Sequence, residues 1–190
     1  MDASVLRAMD QWPDVPAAFG WLALDQRGRW LLRGKVVDLP LSIAFFNRNF
    51  TCDDQGRWFV QNGPQRVFVT LDYLPLIWQL NADGVLKDQT GHELTDPQTA
   101  YIDEYSNLIV VDEAGPGRVA DEALFPVLDE LRDGAGGVLG ADGLDALMAG
   151  QGEAYLHLCG QKLRVGTVEA KALPDLFGFQ KTPSEGQQPA

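Results

Sequence analysis

Residues 53–78, DDQGRWFVQNGPQRVFVTLDYLPLIW, constrain the fold more than any other part of the chain, because turn signals alternate there with apolar runs too short to be helices. Asp54-Gln55-Gly56 reads as a turn and Trp58-Phe59-Val60 as a strand. Asn62-Gly63-Pro64 reads as a second turn, and residues 66–72 as an alternating strand that closes before Pro75. In that strand Val67, Val69 and Leu71 share one face, and Arg66, Phe68, Thr70 and Asp72 the other. A strand of this length separates Arg66 from Asp72 by roughly 20 Å, so the two cannot pair directly.

The turn recurs along the chain. DQRGRWLL at 25–32 returns as DDQGRWFV at 53–60, which sets Gly28 and Gly56 28 residues apart, and Asp83-Gly84 follows at the same interval without its Trp. A first helix is expected from Ser4, with Val5, Leu6, Met9 and Trp12 at helical spacing before Pro13 and Pro16. Residues 19–24 and Trp30-Leu31-Leu32 then form a hairpin around residues 25–28, closed by Gly34. Asp38 is placed to cap the next helix, with Pro40 in its first turn and Ile43, Phe46 and Phe50 as its buried stripe.

A later hairpin, Tyr101-Ile102 through Ser106-Asn107 to residues 108–111, leads through a Gly/Pro loop to a helix over 122–132 and repeats the order seen over 19–49. Residues 133–152 hold seven of the 20 glycines, so only 142–148 is expected to manage a helical turn or two. Alternation over 154–165 places Tyr155, His157 and Cys159 on one strand face, Leu156 and Leu158 on the other, with a turn at Gly160-Gln161. The apolar residues 174–179 are expected to dock on the body. The fold class is therefore α+β, with repeated β-hairpin/helix units, mainly antiparallel sheet and two related halves. The halves are 1–80 and 81–179, followed by a disordered tail over 180–190.

Composition narrows the function classes. A formal charge of −12 and a pI near 4.4 argue against nucleic acid and anionic membranes, which need an excess of Lys and Arg. The N-terminal stretch has no apolar leader core and no window approaches the ~20 apolar residues of a membrane span, which points to a soluble, cytoplasmic protein. Cys52 and Cys159 lack CxxC spacing and read as reduced thiols. The charge is uneven. Residues 26–66 carry seven Lys or Arg against three Asp, whereas residues 67–171 carry eighteen Asp or Glu against six Lys or Arg. That asymmetry suits a basic hairpin surface meeting an acidic partner, either this chain's own C-terminal half or the same half of a second copy.

The candidate chemistry is thin. The GRW turns offer flat Trp and Arg surfaces, although cross-strand packing accounts for both tryptophans. Asn62-Gly63 reads as a positive-φ turn ahead of an anion site. His92 is expected exposed and His157 half-buried, with no second ligand at metal spacing for either. Asp142 and Asp145 lack the alternating oxygens of a calcium loop, and Asp53 and Asp54 diverge as adjacent turn residues do. Cys159 and His157 stand roughly 6–7 Å apart on one strand face, too far for direct proton transfer. Neither a catalytic set, a metal site nor a cofactor is expected. The contacts favoured for a ligand are Arg57, Asn62, Gln65, Arg66 and Tyr73. These features favour a non-enzymatic regulatory or interaction module that binds a protein partner or self-associates. The alternative is a small-molecule-binding protein or enzyme with a pocket near Asn62, Arg66, Tyr73 and His157.

The residues GRWFVQNGPQRVFVTLDYLP, with GWLALDQRGRW upstream and LPDLFGF near the end, resemble an uncharacterised bacterial family known only as a domain of unknown function, over most of residues 1–179. More loosely, the order GRWLLRG, helix, GRWFV, turn, QRVFV, PLIWQL is similar to a second uncharacterised family. That likeness implies an α+β fold of repeated motifs and a role in signalling. It carries no catalytic residues to transfer, and QNGPQR is absent from the looser pattern.

Overall fold

The computed structural model describes residues 16–185, so the helix expected from Ser4 to Trp12 lies outside the described residues. The described residues divide into two compact units, residues 16–73 with 178–185, and residues 74–177. Together the described residues make a mixed α+β fold of two large mixed sheets and four helices.

The first unit is a six-stranded sheet in the order β3-β2-β1-β6-β5-β4. Its strands are β1 (Ala17–Leu24), β2 (Trp30–Leu32), β3 (Lys35–Val36), β4 (Phe50–Cys52), β5 (Trp58–Asn62) and β6 (Gln65–Leu71), with helix α1 (Pro40–Arg48) between β3 and β4. Leu22, Leu24, Val60, Val67, Val69 and Leu71 are almost wholly buried. Phe50 touches both Trp30 (5.1 Å) and Trp58 (4.8 Å), and Phe46 of α1 meets Trp30 at 5.4 Å. The Trp30 indole N–H donates to Asn47 Oδ1 at 2.7 Å, which ties the helix to the sheet without exposing a buried donor. The expected helix stripe needs correction. Phe50 lies in β4, and the N-cap is Leu39, not Asp38, with no side-chain cap bond. Pro40 supplies the start instead, its missing N–H falling where none is needed.

The second unit is an eight-stranded sheet in the order β12-β13-β14-β9-β10-β11-β7-β8. Its strands are β7 (Leu76–Leu80), β8 (Leu86–Lys87), β9 (Thr99–Asp103), β10 (Leu108–Asp112), β11 (Gly115–Val119), β12 (Leu131–Asp133), β13 (Ala154–Leu158) and β14 (Gln161–Val168). Its helices are α2 (Asp121–Leu128), α3 (Ala141–Met148) and the short α4 (Leu173–Phe177). Trp78 is fully buried and donates to the Val110 carbonyl at 3.0 Å; a Cβ on Gly117, in the neighbouring strand, would overlap its indole.

Most neighbouring strands are antiparallel, as expected, while β1/β6, β7/β11 and β9/β14 run parallel and make both sheets mixed. Alternation within a strand reports its faces and carries no information on the direction of its neighbour. The helix expected over 122–132 stops at Leu128, because Leu131–Asp133 is drawn into the ladder with β13. The β13/β14 turn is Cys159-Gly160, both at positive φ (51° and 76°), not Gly160-Gln161. Cys159 therefore leaves the strand face assigned to it.

One five-residue loop occurs six times among the described residues, beginning at Asp25, Asp53, Asn81, Asp88, Asp103 and Asp133. In each, the side-chain Oδ1 accepts the backbone N–H of the residues two and four further on, at 2.7–3.1 Å. The first residue's N–H bonds the fifth carbonyl, and its own carbonyl accepts the fourth N–H. The fourth residue is at positive φ, a glycine everywhere except Ser106 (62°). Arg29 and Arg57 each return an Nε–H to Oδ2 of the leading aspartate, at 2.7 and 2.9 Å. The DxxGRW pattern thus divides its labour: Asp satisfies the turn amides, Gly makes the bend, Arg clamps the Asp and Trp enters the core. Desolvation opposes ionisation of Asp25 and Asp53, and these hydrogen bonds outweigh it, holding both carboxyls below the ordinary aspartate value.

The residues expected to begin a disordered tail are partly hydrogen-bonded into the first unit. Gln180 donates to the Gly56 carbonyl (2.8 Å) and, through Nε2, to that of Gln55 (3.0 Å), while Leu71 N–H donates to Lys181 O (2.7 Å). Gly56, at φ 71°, lies so close to Gly178 that a Cβ would overlap its carbonyl oxygen, whereas Gly84, at φ 77° in the matching loop, faces open space. Gly84→Ala is expected to cost about 1 kcal/mol, the penalty of a side chain at positive φ. Gly56→Ala is expected to cost about 3 kcal/mol or more, because the docked segment must also move. Equal urea midpoints for the two variants would contradict this packing.

Candidate functional site

Two of the polar candidates of the first unit, Arg57 and Arg66, lie on the sheet face opposite the Val67–Leu71 core. There the Phe19 and Phe68 rings stack at 4.5 Å with 2° between planes, and Phe59 meets Phe68 at 5.7 Å. Phe68, expected to point away from the core, does so and is nonetheless buried, as is Phe59. Two guanidinium groups cover these rings: Arg57 lies 4.6 Å over Phe68 and Arg66 4.8 Å over Phe59. A third, Arg33, lies 3.5 Å over Trp21. Gly20 opens a bulge in β1, where pairing with β6 jumps from Ala18 to Leu22, and the residue beside buried Leu22 is Trp21, directed to the opposite face. Arg33 is held in a tight turn at φ 49°, its N–H bonded to the Trp21 carbonyl.

The three cations differ in charge balance. Arg57 is neutralised by Asp53, 2.8 Å away. Arg33 and Arg66 are exposed and form no ion pair among the described residues. A guanidinium held over a ring by its carbon keeps N–H donors available, in the forked arrangement that carboxylates accept.

Of the residues singled out in the sequence, Arg57 and Arg66 come together here, and Asn62 pairs with Gln65 across the Gly63-Pro64 turn at the end of the same hairpin. Gln61 braces that turn, its Nε2 donating to the Gly63 carbonyl at 2.6 Å. Tyr73 is buried at the end of the first unit, and His157 belongs to the second. Arg33, Trp21 and Phe19 were not singled out; Gly34 was read as closing the hairpin, but the bulge that turns Trp21 to the same face was not visible.

The two histidines exchange the environments expected of them. His157 is exposed, while His92 pairs with the buried carboxylate of Asp112, Nε2 to Oδ2 at 2.7 Å. His92 closes the loop begun by Asp88, and Gln89 within that loop bonds the Ile77 N–H and the Pro75 carbonyl, fastening the loop to β7. Cys52 and Cys159 are free thiols. Desolvation, then the Asp53 and Asp54 carboxylates, push Cys52 up to about 11, and desolvation also raises Cys159, so neither supplies a ready thiolate. Among the described residues no group of three or more His, Cys, Asp or Glu is arranged to hold a metal ion, and no helix is long and apolar enough to cross a membrane.

Comparison with known families gives a match over residues 1–184 to DUF2944, described as "Protein of unknown function (DUF2946)". A DUF1285 family protein from Silicibacter pomeroyi DSS-3 superimposes with a TM-score of 0.57 at 12% identity, covering 88% of this chain and 97% of its own. A second DUF1285 family protein, from Shewanella baltica OS155, gives a TM-score of 0.41 at 16% identity over 56% of this chain and 88% of its own. Comparison with curated proteins gives no match. The chain belongs to the DUF2944 family, a domain of unknown function as its motifs implied, and it shares a fold with the first of these uncharacterised DUF1285 proteins.

The His92–Asp112 pair gives the second unit a signed pH dependence. The Asp112 hydrogen bond raises His92 above its ordinary 6.5 against the opposing effect of desolvation, with Asp112, Asp88 and Glu113 adding their charge. A raised folded value means the pair stabilises fully below the unfolded value and loses that contribution as pH climbs through the folded one. Urea midpoints are expected to fall between about pH 6 and 8 in the wild type, and to fall less in His92→Gln. Parallel profiles would remove His92 as the cause.

Proposed function

We propose that this DUF2944 protein is a non-enzymatic, cytoplasmic interaction module that binds an acidic segment of a protein partner on the guanidinium-covered face of its first unit. The observation that carries this reading is the pair Arg33 and Arg66, each stacked on an aromatic ring and each without an ion-pair partner among the described residues. Stacking lowers the entropy lost when a carboxylate is engaged, because the guanidinium is already held. The charge distribution supports the same partner. Described residues of the first unit carry eight Lys or Arg against six Asp or Glu, whereas the second unit carries six against eighteen. The burial of Phe59 and Phe68 leaves little ring face for a nucleic-acid base to stack on, and a net charge of −12 disfavours polyanions at long range.

The recurring loop supports the further reading that the two units are related halves built from repeated hairpin and helix segments. The residues bear on partner binding and not on signalling or catalysis.

A fluorescently labelled Glu/Asp-rich peptide tests the proposal by anisotropy. Binding is expected to weaken with salt and to fall about tenfold, or ~1.4 kcal/mol, in Arg66→Ala and again in Arg33→Ala. Unchanged affinity in both variants would refute it. A dimer that dissociates with salt, seen by light scattering without peptide, would instead assign the face to the acidic surface of a second copy.

A further inference from the structure

A cleft of about 390 Å³ opens in the second unit between the parallel strands β9 and β14 and the segment leaving α3. Its apolar lining includes Leu147 and the Tyr101 ring. That ring lies against Gly166, where a Cβ would approach to 3.0 Å, and Phe177 meets it edge-on at 5.7 Å and 72°. Tyr101 is thereby held as a fixed wall: a larger residue at 166 would push the ring from its place. At the rim Arg164 Nη2 and Glu153 Oε1 pair at 3.0 Å, with side chains 71% and 49% exposed. The Tyr155 hydroxyl donates to the other Glu153 oxygen at 3.0 Å and orients that carboxylate.

Two opposite fixed charges therefore stand side by side at the mouth of a partly apolar cleft, and their mutual attraction is weak because both are wet. A ligand that carries its own carboxylate and ammonium can separate them at little cost and satisfy each in turn. A simple anion is disfavoured by the eighteen Asp or Glu against six Lys or Arg of this unit, and a simple cation by Arg164 itself. The volume equals about thirteen waters at ~30 Å³ each, enough for a small amino acid and within the usual range of ligand sites. We propose that this cleft binds a free α-amino acid with an apolar side chain. Its carboxylate engages Arg164, its ammonium engages Glu153, and its side chain rests against Leu147 and Tyr101. These residues are separate from the arginine face of the first unit, so either proposal can fail without the other.

Isothermal titration of the full chain with leucine, valine, methionine and phenylalanine tests the assignment, using the N-acetyl and amide derivatives of each to delete one charge at a time. At least one free amino acid is expected to bind saturably, with affinity reduced tenfold or more by either derivative. Arg164→Gln and Glu153→Gln are expected to cause a similar loss. Both positions are largely exposed, so ligand-free melting temperatures are expected to stay at the wild-type value and to report that the fold is kept. No heat from any of the four, derivatives that bind as well as the free forms, or folded variants with unchanged affinity would each overturn the proposal.

Discussion

A side-chain oxygen that accepts two backbone N–H groups is the interaction on which six of the turns depend. A five-residue turn bends the chain too sharply for its inner amides to find ladder partners, and amides left without partners cost free energy when the loop packs. In all six loops Oδ1 of the leading Asp or Asn takes both. Asn81 serves as well as the five aspartates, which shows that the acceptor and not the charge is required. Charge adds a second layer only where Arg29 and Arg57 reach back to Oδ2. By fixing where the return strand begins, the loop also fixes which side chains enter the core: Trp30 and Trp58 each open a strand just beyond it.

The first unit draws its chain from both ends of the sequence. The backbone leaves it at Tyr73, passes through all of the second unit and returns at Gly178, where Gln180 and Lys181 bond to the Gly56 loop and to Leu71. The Gly56 loop thus has two tasks, closing the β4/β5 connection and receiving the returning segment. Glycine at 56 meets both demands, the first through its positive φ and the second through its missing Cβ. The arginine face is built on this same sheet, and the guanidinium of Arg57 joins the loop to the aromatic rings through Asp53 and Phe68.

Much of this was legible from residue order. The GRW turns, the short strands after them and the alternation of residues 66–72 follow from local chemistry that the sequence displays directly. The loop motif was only half visible because glycine and tryptophan were its conspicuous parts, whereas its working part is the acceptor three residues before the bend. Asp83 drew attention where Asn81 does the bonding, and in the hairpin turn read at Ser106-Asn107 the leading acceptor Asp103 went unseen, Ser106 standing where the other loops have glycine. The parallel pairs were invisible for a different reason, since they join residues distant in sequence. Arg57 and Arg66 stood out through the company of aromatic residues. Arg33 did not, because a bulge at Gly20 decides which way Trp21 faces. His92 looked solitary because its partner, Asp112, stands 20 residues away.

Hydrogen exchange at the fifth residue of each loop, Arg29, Arg57, Val85, His92, Asn107 and Gly137, tests the central claim most directly. If the leading side chain holds these amides, all six exchange well below the random-coil rate. Replacing one leader, as in Asp103→Ala, then accelerates exchange at Asn107 while the other five keep their protection. Random-coil exchange at these amides in the native protein, or continued protection of Asn107 in Asp103→Ala, would contradict the account.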